Sequence, residues 1–260
     1  MRRLSRIFRN DGRTVIAAMD HGMGLGVLPE LVHTGRIISL IAAGGADAVL
    51  TTFGIAKRYQ EELKPMGLIL RMDGGSSMLG SRSRSDLLYD LEDAVRMGAD
   101  GVVCMGFLGT ELEPVTLGNI AFLAGRCREW GMPLMAEMLP GGFTQEPAKS
   151  AENVQLACRI GAELGADIIK TVYAGSTQEF SAAVSGCYVP VVVLGGSHTP
   201  DISSLFQDVE HSLHAGGAGV AIGRNIWRHE SPDICTAALV DMVHNGTSAK
   251  DAAYRLEKES

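Results

Sequence analysis

The chain has 260 residues, of which 46% are hydrophobic and 20% are charged, and its net charge is −7 at pH 7. This length suits one or two ordinary domains or one large α/β barrel, and the hydrophobic fraction excludes a disordered chain. The acidic balance argues against a nucleic-acid surface, because neutralising phosphates needs clustered excess cations. No apolar run reaches the roughly 18–20 residues of a membrane-spanning helix. We therefore expect a soluble protein without a nucleic-acid or membrane partner.

The N-terminus and the cysteines both indicate a cytoplasmic protein. Residues 1–9 are rich in arginine but lack the apolar core of a signal peptide. We expect a short first helix or a plug at one end of the fold, with a transit peptide as the alternative. The five cysteines form no C-x-x-C pair, so we predict free thiols in a reducing compartment.

Eight short apolar runs rich in β-branched residues recur along the chain, as is typical of strands buried on both faces of a parallel sheet. The runs begin near Thr14, Ala46, Gly67, Ala99, Pro133, Ala166, Pro190 and Gly219. They lie about 29 residues apart on average, close to the length of one βα unit. Between them, residues 87–97 and 154–164 show the apolar spacing of helices.

A short repeat supports this register. The tripeptide Gly-Ala-Asp occurs at 45–47, 98–100 and 165–167, each time where a helix is predicted to end and a strand to begin. Glycine suits the left-handed position after a helix, and aspartate tolerates the turn. We predict an α/β fold in which residues 1–260 form a single (β/α)8 TIM barrel. A doubly wound open sheet is the structural alternative.

The active site of such a barrel lies at the carboxyl ends of its strands. Four strand ends carry ionisable groups, namely Asp20-His21-Gly22, Arg71-Met72-Asp73, Glu137-Met138-Leu139 and Lys170-Thr171-Val172-Tyr173. These groups are expected to face one mouth.

Lys170 is the most informative of these residues. It follows Ile168 and Ile169 inside an apolar strand, where a lysine is costly unless it is paired or used. Desolvation and nearby cations favour the neutral amine, which attacks a ketone to form an iminium. The alternative is a structural lysine paired with Asp20 or Glu137.

Asp20 and His21 follow the first strand. Asp20 is a candidate general base for a substrate hydroxyl or α-carbon proton, or alternatively the salt-bridge partner of Lys170. His21 either bonds the substrate or pins the loop. His211 and His214 share a helix face, but the sequence offers no third ligand, so we expect no metal site.

Two glycine-bearing turns follow the seventh and eighth strands. Gly195, Gly196 and Ser197 form one, and Gly223 with Arg224 forms the other. Backbone N–H groups there can approach a phosphate closely, with Arg224 supplying positive charge, and barrels often hold phosphate at these two loops. Ordinary turn glycines are the alternative.

Four stretches in order resemble a known family: Ala18–Gly22, Ala166–Thr171, Val193–Gly196 and Gly223–Trp227. They are similar to the archaeal-type class I fructose-bisphosphate aldolases, which are DeoC/LacD-like. That family includes the aminodideoxyheptulosonate synthases, and the autoinducer-2 thiolase LsrF is a relative. The resemblance spans nearly the whole chain.

The resemblance implies a Schiff-base barrel that needs no metal or organic cofactor. Lys170 matches the imine-forming lysine and Asp20 the acid/base aspartate. Gly195, Gly196, Gly223 and Arg224 match the phosphate loops, and family members often assemble as decamers, so a homo-oligomer is expected.

One departure concerns the proton donor. The family carries a tyrosine followed by Pro-Arg-Gly at the end of strand five, whereas this chain reads Met138-Leu139-Pro140-Gly141-Gly142. Leucine cannot donate a proton. Glu137, on the same strand face, is our candidate substitute. Tyr173 is a second candidate, although its spacing from Lys170 places it outside the barrel unless the strand has ended.

We therefore predict a class I aldolase that makes or cleaves a C–C bond in a phosphorylated ketose such as fructose 1,6-bisphosphate. A thiolase-like acyltransferase is the alternative, because the thiolase also lacks the tyrosine and resembles this chain at residues 70–76. A metal-dependent aldolase and a catalytically silent phospho-sugar binder are further alternatives.

Overall fold

The computed structural model describes residues 2–75, 77, 79, 84–143, 148–196, 198 and 201–259. Eight parallel strands form a closed barrel in chain order, and the eighth strand pairs with the first. The strands are β1 (Thr14–Ala18), β2 (Ala48–Thr51), β3 (Gly67–Arg71), β4 (Gly101–Gly106), β5 (Leu134–Met138), β6 (Ile168–Thr171), β7 (Val191–Leu194) and β8 (Gly219–Ile222). The predicted (β/α)8 fold is confirmed. That residues 1–260 make up a single domain stays a prediction.

Helices occupy the connections between strands and the end of the chain. They are α1 (Gly22–Leu25), α2 (Thr34–Ala43), α3 (Phe53–Arg58), α4 (Gln60–Leu63), α5 (Leu91–Met97), α6 (Glu113–Trp130), α7 (Ala151–Glu163), α8 (Thr177–Ser185), α9 (Ile202–His214), α10 (Arg224–Trp227), α11 (Pro232–Asn245) and α12 (Ala249–Glu259). Two 3-10 helices span Arg2–Arg6 and Pro29–Leu31. Among the described helices, none has the length and apolar character needed to cross a bilayer.

The helix predicted over residues 87–97 begins later than expected. Asp86–Leu87 instead pairs antiparallel with Asp73–Gly74 in a two-residue ladder beyond β3. Helix α5 starts at Leu91, where the Asp90 N–H donates to Asp93 Oδ2 at 3.3 Å. The apolar spacing of the segment did not distinguish the ladder from the first turn of a helix, because Leu87 of the ladder and Leu91 of the helix both pack against the core.

Alternation along the strands divides the apolar residues into two layers. The interior of the barrel is filled by one side chain or more from every strand, including Ile69, Met135 and Ile168, and Ile7 packs among them. Leu4 and Phe8 pack against this cluster, so the N-terminal segment closes one end of the barrel. This confirms the predicted plug. The outward residues of the strands pack against the helices.

The three Gly-Ala-Asp repeats join neighbouring strands. Gly45, Gly98 and Gly165 have φ values of 86°, 79° and 100°, which confirms the left-handed turn after each helix. The aspartates do more than tolerate that turn, because each carboxylate accepts a backbone N–H from the preceding strand. The bonds are Val15 N to Asp47 at 2.6 Å, Leu68 N to Asp100 at 3.0 Å and Leu134 N to Asp167 at 2.9 Å. Strands β1–β2, β3–β4 and β5–β6 are thereby connected at their amino ends.

Candidate active site

The carboxyl mouth of the barrel holds a buried cluster of charged side chains. The interior residues Ile69, Met135 and Ile168 are each followed, two positions later, by Arg71, Glu137 and Lys170. Because side chains alternate along a strand, these three charged residues also point inward. All three are buried. The predicted grouping of ionisable residues at one mouth is therefore present.

Lys170 is paired with Glu137, one of the two partners predicted for a structural lysine. The two residues are register partners on the adjacent strands β5 and β6, and Lys170 Nζ lies 2.7 Å from Glu137 Oε1. Burial by itself would raise the pKa of Glu137, but the positive charges of Lys170 and Arg71 outweigh it and lower that pKa below its ordinary value. An ionised carboxylate thus lies within hydrogen-bond reach of the amine.

Asp20 is bonded to Arg71, and the alternative ion pair between Asp20 and Lys170 is wrong. Its Oδ2 accepts from Arg71 Nε at 2.8 Å, and the NH2 group of the same guanidinium lies 2.7 Å away. Burial opposes the ionisation of Asp20, yet the charges of Arg71 and Lys170 lower its pKa well below the ordinary range. Arg71, and not Lys170, is therefore the ion-pair partner of Asp20.

Arg71 is the member of the site to which sequence reasoning gave no role. It contacts Asp20, Asp73 and Glu137, which are 51, 2 and 66 residues away in the chain. Its signal in the sequence was the inward position two residues after Ile69. That signal could have marked an interior charge, but the partners become visible only once the barrel closes.

His21 stands between the first and last strands. Its ring meets Trp227 edge-on with centroids 5.6 Å apart, and Trp227 Nε1 donates to the carbonyl of Ala18 at 3.0 Å. Burial lowers the pKa of His21, and the nearby Lys170 and Arg224 charges add to this effect. Within the described residues, its buried Nδ1 has no hydrogen-bond partner and lies 3.6 Å from Asp20 Oδ1. The ring is thus wedged in place, and its Nδ1 is left without a partner among the described residues.

The two glycine-bearing turns lie side by side and are tied together. Arg224 NH2 donates to the Gly196 carbonyl and Asn225 Nδ2 to the Gly195 carbonyl, both at 2.8 Å. A Cβ atom on Gly223 would lie 2.4 Å from the Ala18 carbonyl oxygen, so only glycine allows β8 to end this close to β1. Gly196 has a φ of 62°. Ser197 lies outside the described residues.

Arg224 retains a donor. Its Nε is buried and has no acceptor in the described part of the chain, although its NH2 group is bonded to Gly196. Burial lowers the pKa of Arg224, and the nearby Arg228 charge acts in the same direction. A cation with an unused donor therefore lies at the junction of the two turns.

The residues considered for proton donation are in different environments. Leu139 is buried, and its N–H donates to the Gly106 carbonyl at 2.8 Å. Tyr173 lies beyond the end of β6, where its ring packs 5.1 Å from that of Phe180 of α8. Tyr173 thus lies in the layer between the barrel and the helices, although β6 has ended before it and the spacing from Lys170 no longer fixes its direction. Glu137 is the candidate that lies within the mouth.

The described side chains offer no evident metal cage. Among them, no group of three or more histidine, cysteine or acidic residues is arranged to hold a metal ion. His211 and His214 lie in the last turn of α9, and the His211 ring is 6.2 Å from that of Tyr173. All five cysteines are buried free thiols, as predicted.

A closed (β/α)8 barrel with a buried lysine beside a carboxylate at its carboxyl mouth defines a barrel of the enzyme type, with its ionisable groups where such barrels carry their active sites. Comparison with known proteins narrows this class. Residues 14–229 match the model of the DeoC/LacD family of aldolases. The chain therefore belongs to the DeoC/LacD aldolase family, and it is a carbon–carbon lyase of the class I aldolase type.

Three individual proteins illustrate the likeness. The chain is 34% identical to the 2-amino-3,7-dideoxy-D-threo-hept-6-ulosonate synthase of Halobacterium salinarum, over 97% of this chain and 94% of that protein. It is 30% identical to the 2-amino-4,5-dihydroxy-6-oxo-7-(phosphonooxy)heptanoate synthase of Streptomyces griseus, over 94% and 89%. A solved Schiff-base-forming fructose-1,6-bisphosphate aldolase superposes with a TM-score of 0.84 at 30% identity, covering 94% and 99%. The resemblance expected from the four sequence motifs is confirmed.

Proposed function

We propose that this enzyme makes or cleaves a C–C bond in a phosphorylated ketose through an imine on Lys170. Fructose 1,6-bisphosphate, or dihydroxyacetone phosphate with an aldehyde, is the first substrate to test. The observation that carries the proposal is the 2.7 Å contact between Lys170 Nζ and Glu137 Oε1 inside the mouth. An amine beside a proton acceptor, shielded from water, is the arrangement that imine formation needs.

Imine formation begins when Glu137 takes a proton from the Lys170 ammonium. The neutral Nζ then attacks the ketone carbon, and one Nζ proton moves to the former carbonyl oxygen, which becomes the hydroxyl of a neutral carbinolamine. Glu137 returns its proton to that hydroxyl, which leaves as water, and the nitrogen lone pair forms the iminium. One ammonium and one ketone thus give one iminium and one water, with Glu137 unchanged.

Cleavage of the C–C bond then needs a base on the substrate hydroxyl. Asp20 takes the hydroxyl proton, the C–C bond breaks to release an aldehyde, and its electrons move into the iminium to give an enamine. Return of the proton from Asp20 to the enamine carbon, followed by addition of water, frees the ketone and Lys170. The unpartnered Nδ1 of His21 is a suitable hydrogen-bonding group for the substrate.

The two glycine-bearing turns are proposed to hold phosphate. Support comes from the buried Nε of Arg224, from the close packing at Gly195 and Gly223, and from the open space beside Gly196. Ser197 belongs to the same proposed site, as in the sequence prediction. The Streptomyces griseus relative has a phosphonooxy group in its name, which is compatible with this assignment.

A thiolase-like acyl transfer on a phosphorylated diketone is the second candidate. The observation that favours it is the buried Leu139, which supplies no proton where the family has a tyrosine. The aldolase proposal assigns the role of that donor to Glu137, which contacts Lys170 and precedes Leu139 by two residues in the chain. A requirement for coenzyme A distinguishes the two reactions.

Borohydride trapping tests the proposal. The protein is reduced with sodium borohydride in the presence of dihydroxyacetone phosphate or fructose 1,6-bisphosphate, then measured by intact mass and peptide mapping. We expect a single adduct on Lys170 that is absent from Lys170→Met and retained by the exposed-site control Lys64→Met. The proposal would be contradicted if no adduct formed with either of these two ketoses or with a panel of other phosphorylated ketones.

Turnover and thermal-unfolding measurements separate the remaining alternatives. Loss of turnover in the presence of a chelator would indicate a metal-dependent aldolase. Thermal stabilisation by phospho-sugars without turnover would indicate a silent binder. We further propose a cytoplasmic homo-oligomer, which light scattering can test, and the five buried free thiols are compatible with a reducing compartment.

A further inference from the structure

Arg71 lies at the centre of the charged cluster and reaches across the barrel. From β3 it contacts Asp20 at the end of β1 and Glu137 on β5, each two strands away. All three of its guanidinium nitrogens face carboxylates. The third carboxylate is that of Asp73, whose Oδ1 is 3.2 Å from Arg71 NH1. The Arg71 side chain is only 5% exposed. Because each guanidinium nitrogen already faces a carboxylate, Arg71 is a poor candidate for contacting a substrate directly.

Asp73 holds Arg71 from behind. Its Oδ2 accepts from the Met105 N–H at 3.0 Å and from the Ser85 hydroxyl at 3.2 Å. The Asn119 side chain in turn donates to the Ser85 carbonyl at 2.8 Å. Asp73 is thus fixed by β4 and by the segment before α5, and the guanidinium has one defined position.

The cluster contains more carboxylates than cations. Asp20, Asp73 and Glu137 face Arg71 and Lys170, so the ionised cluster carries excess negative charge. Two buried carboxylates that share a site normally share a proton as well, which leaves only one of them able to act as a base. A guanidinium bonded to both removes this conflict.

We propose that Arg71 is a positioning residue that holds Asp20 and Glu137 ionised and apart, so that each serves a different proton transfer. The inference rests on the proposed function, since it assigns Glu137 to imine formation and Asp20 to the substrate hydroxyl. Arg71 acts through these two carboxylates and touches no reacting atom.

The test uses Arg71→Met and Arg71→Lys, with Arg159→Met as the control that breaks an exposed pair with Glu163. The rate of borohydride trapping on Lys170 is measured against pH. Removing the guanidinium should move the acidic limb of the profile upward by about one pH unit or more, which slows trapping about tenfold at a pH on that limb. In Arg71→Lys the shift of the acidic limb and the slowing of trapping should both be smaller. Arg159→Met should leave the profile and the trapping rate unchanged.

A second measurement does not depend on turnover. Carbon-13 NMR of the side-chain carboxyls follows Asp20 and Glu137 in ligand-free protein, where Arg71→Met should raise the pH at which at least one of them titrates. Unchanged titration and an unchanged trapping profile would overturn the role of Arg71. Absence of any adduct in the wild type would instead overturn the proposed function, while the carboxyl titrations would still test Arg71.

A variant that retains Arg71 keeps the proposal testable if Arg71→Met does not fold. Asp73→Asn keeps the shape of the side chain but weakens its hold on Arg71. We expect a smaller shift of the acidic limb in the same direction. A trapping profile identical to that of the wild type in Asp73→Asn, with Arg71→Met unfolded, would also count against the proposal.

Discussion

At the scale of single residues, Lys170 and Glu137 are useful only as a pair. Their contact joins an amine and a carboxylate on neighbouring strands. Lys170 could be predicted from sequence because a lysine inside an apolar strand is conspicuous. The role of Arg71 could not, since its partners Asp20 and Glu137 lie far away in the chain and meet it only through barrel closure.

Replacing Glu137 with glutamine separates proton transfer from packing. Glu137→Gln keeps the size of the side chain but removes the proton acceptor beside Nζ. We expect the rate of adduct formation on Lys170 to fall about 10²–10⁴-fold, the usual contribution of a positioned acid or base. The rate of adduct formation on Lys170 is measured at a temperature at which circular dichroism shows the variant folded.

The matched control is Glu163→Gln on the outer face of α7. It breaks an exposed pair with Arg159 at 2.6 Å. Such pairs contribute about 0–1 kcal/mol, so we expect an unchanged trapping rate. A Glu137→Gln protein that traps the ketone within a factor of about three of the wild type would remove Glu137 from the proposed mechanism.

At the scale of elements, the strands were predictable and their attachments were not. Each observed strand begins within two residues of its predicted start, because both faces are buried and the apolar runs are short. The Gly-Ala-Asp repeat correctly predicted where three helices end. Its bonding to the neighbouring strand was not, because a carboxylate in a turn gives no sign in the sequence of which N–H it will accept.

Asp167 provides a test of these attachments. Asp167→Ala leaves the Leu134 N–H without its 2.9 Å side-chain acceptor. Losing the partner of a buried N–H costs about 1–3 kcal/mol, so urea unfolding should show a loss of that size. Asp167→Asn retains an acceptor oxygen and should lose clearly less. Equal losses in the two variants would show that the hydrogen bond is not what stabilises this turn.

At the scale of the whole molecule, His244 joins the end of the chain to its beginning. Its Nδ1 is 2.6 Å from Asp11 Oδ2 and its Nε2 is 2.9 Å from Asp47 Oδ2. Burial would lower the pKa of His244, but the hydrogen bonds to Asp47 and Asp11 outweigh it and raise that pKa. Protonated His244 therefore stabilises the fold below the unfolded-state pKa, near 6.5, and this stabilisation is lost as pH rises through the folded-state pKa.

His244→Gln should consequently be more damaging in acid than in base. We expect a loss of about 1.5–3 kcal/mol at pH 6 and a smaller loss at pH 9, measured by urea unfolding. His33→Gln, at an exposed position, is the control. The difference from wild type is compared at each pH, because His21, whose pKa is lowered, contributes with the opposite sign. A loss that does not vary with pH would contradict the charged role of His244.

The fourth strand pair lacks the aspartate that the other three possess. Ala218 stands there, and its methyl group cannot accept the N–H that Asp47, Asp100 and Asp167 accept elsewhere. We expect amide protons in β7 and β8 to exchange with solvent faster than those of β1–β6, since local opening follows the weakest connection. These two strands lead into the proposed phosphate turns. A bound anion would then connect the two strands at their carboxyl ends. Amide hydrogen exchange in β7 and β8 should therefore slow when phosphate is added.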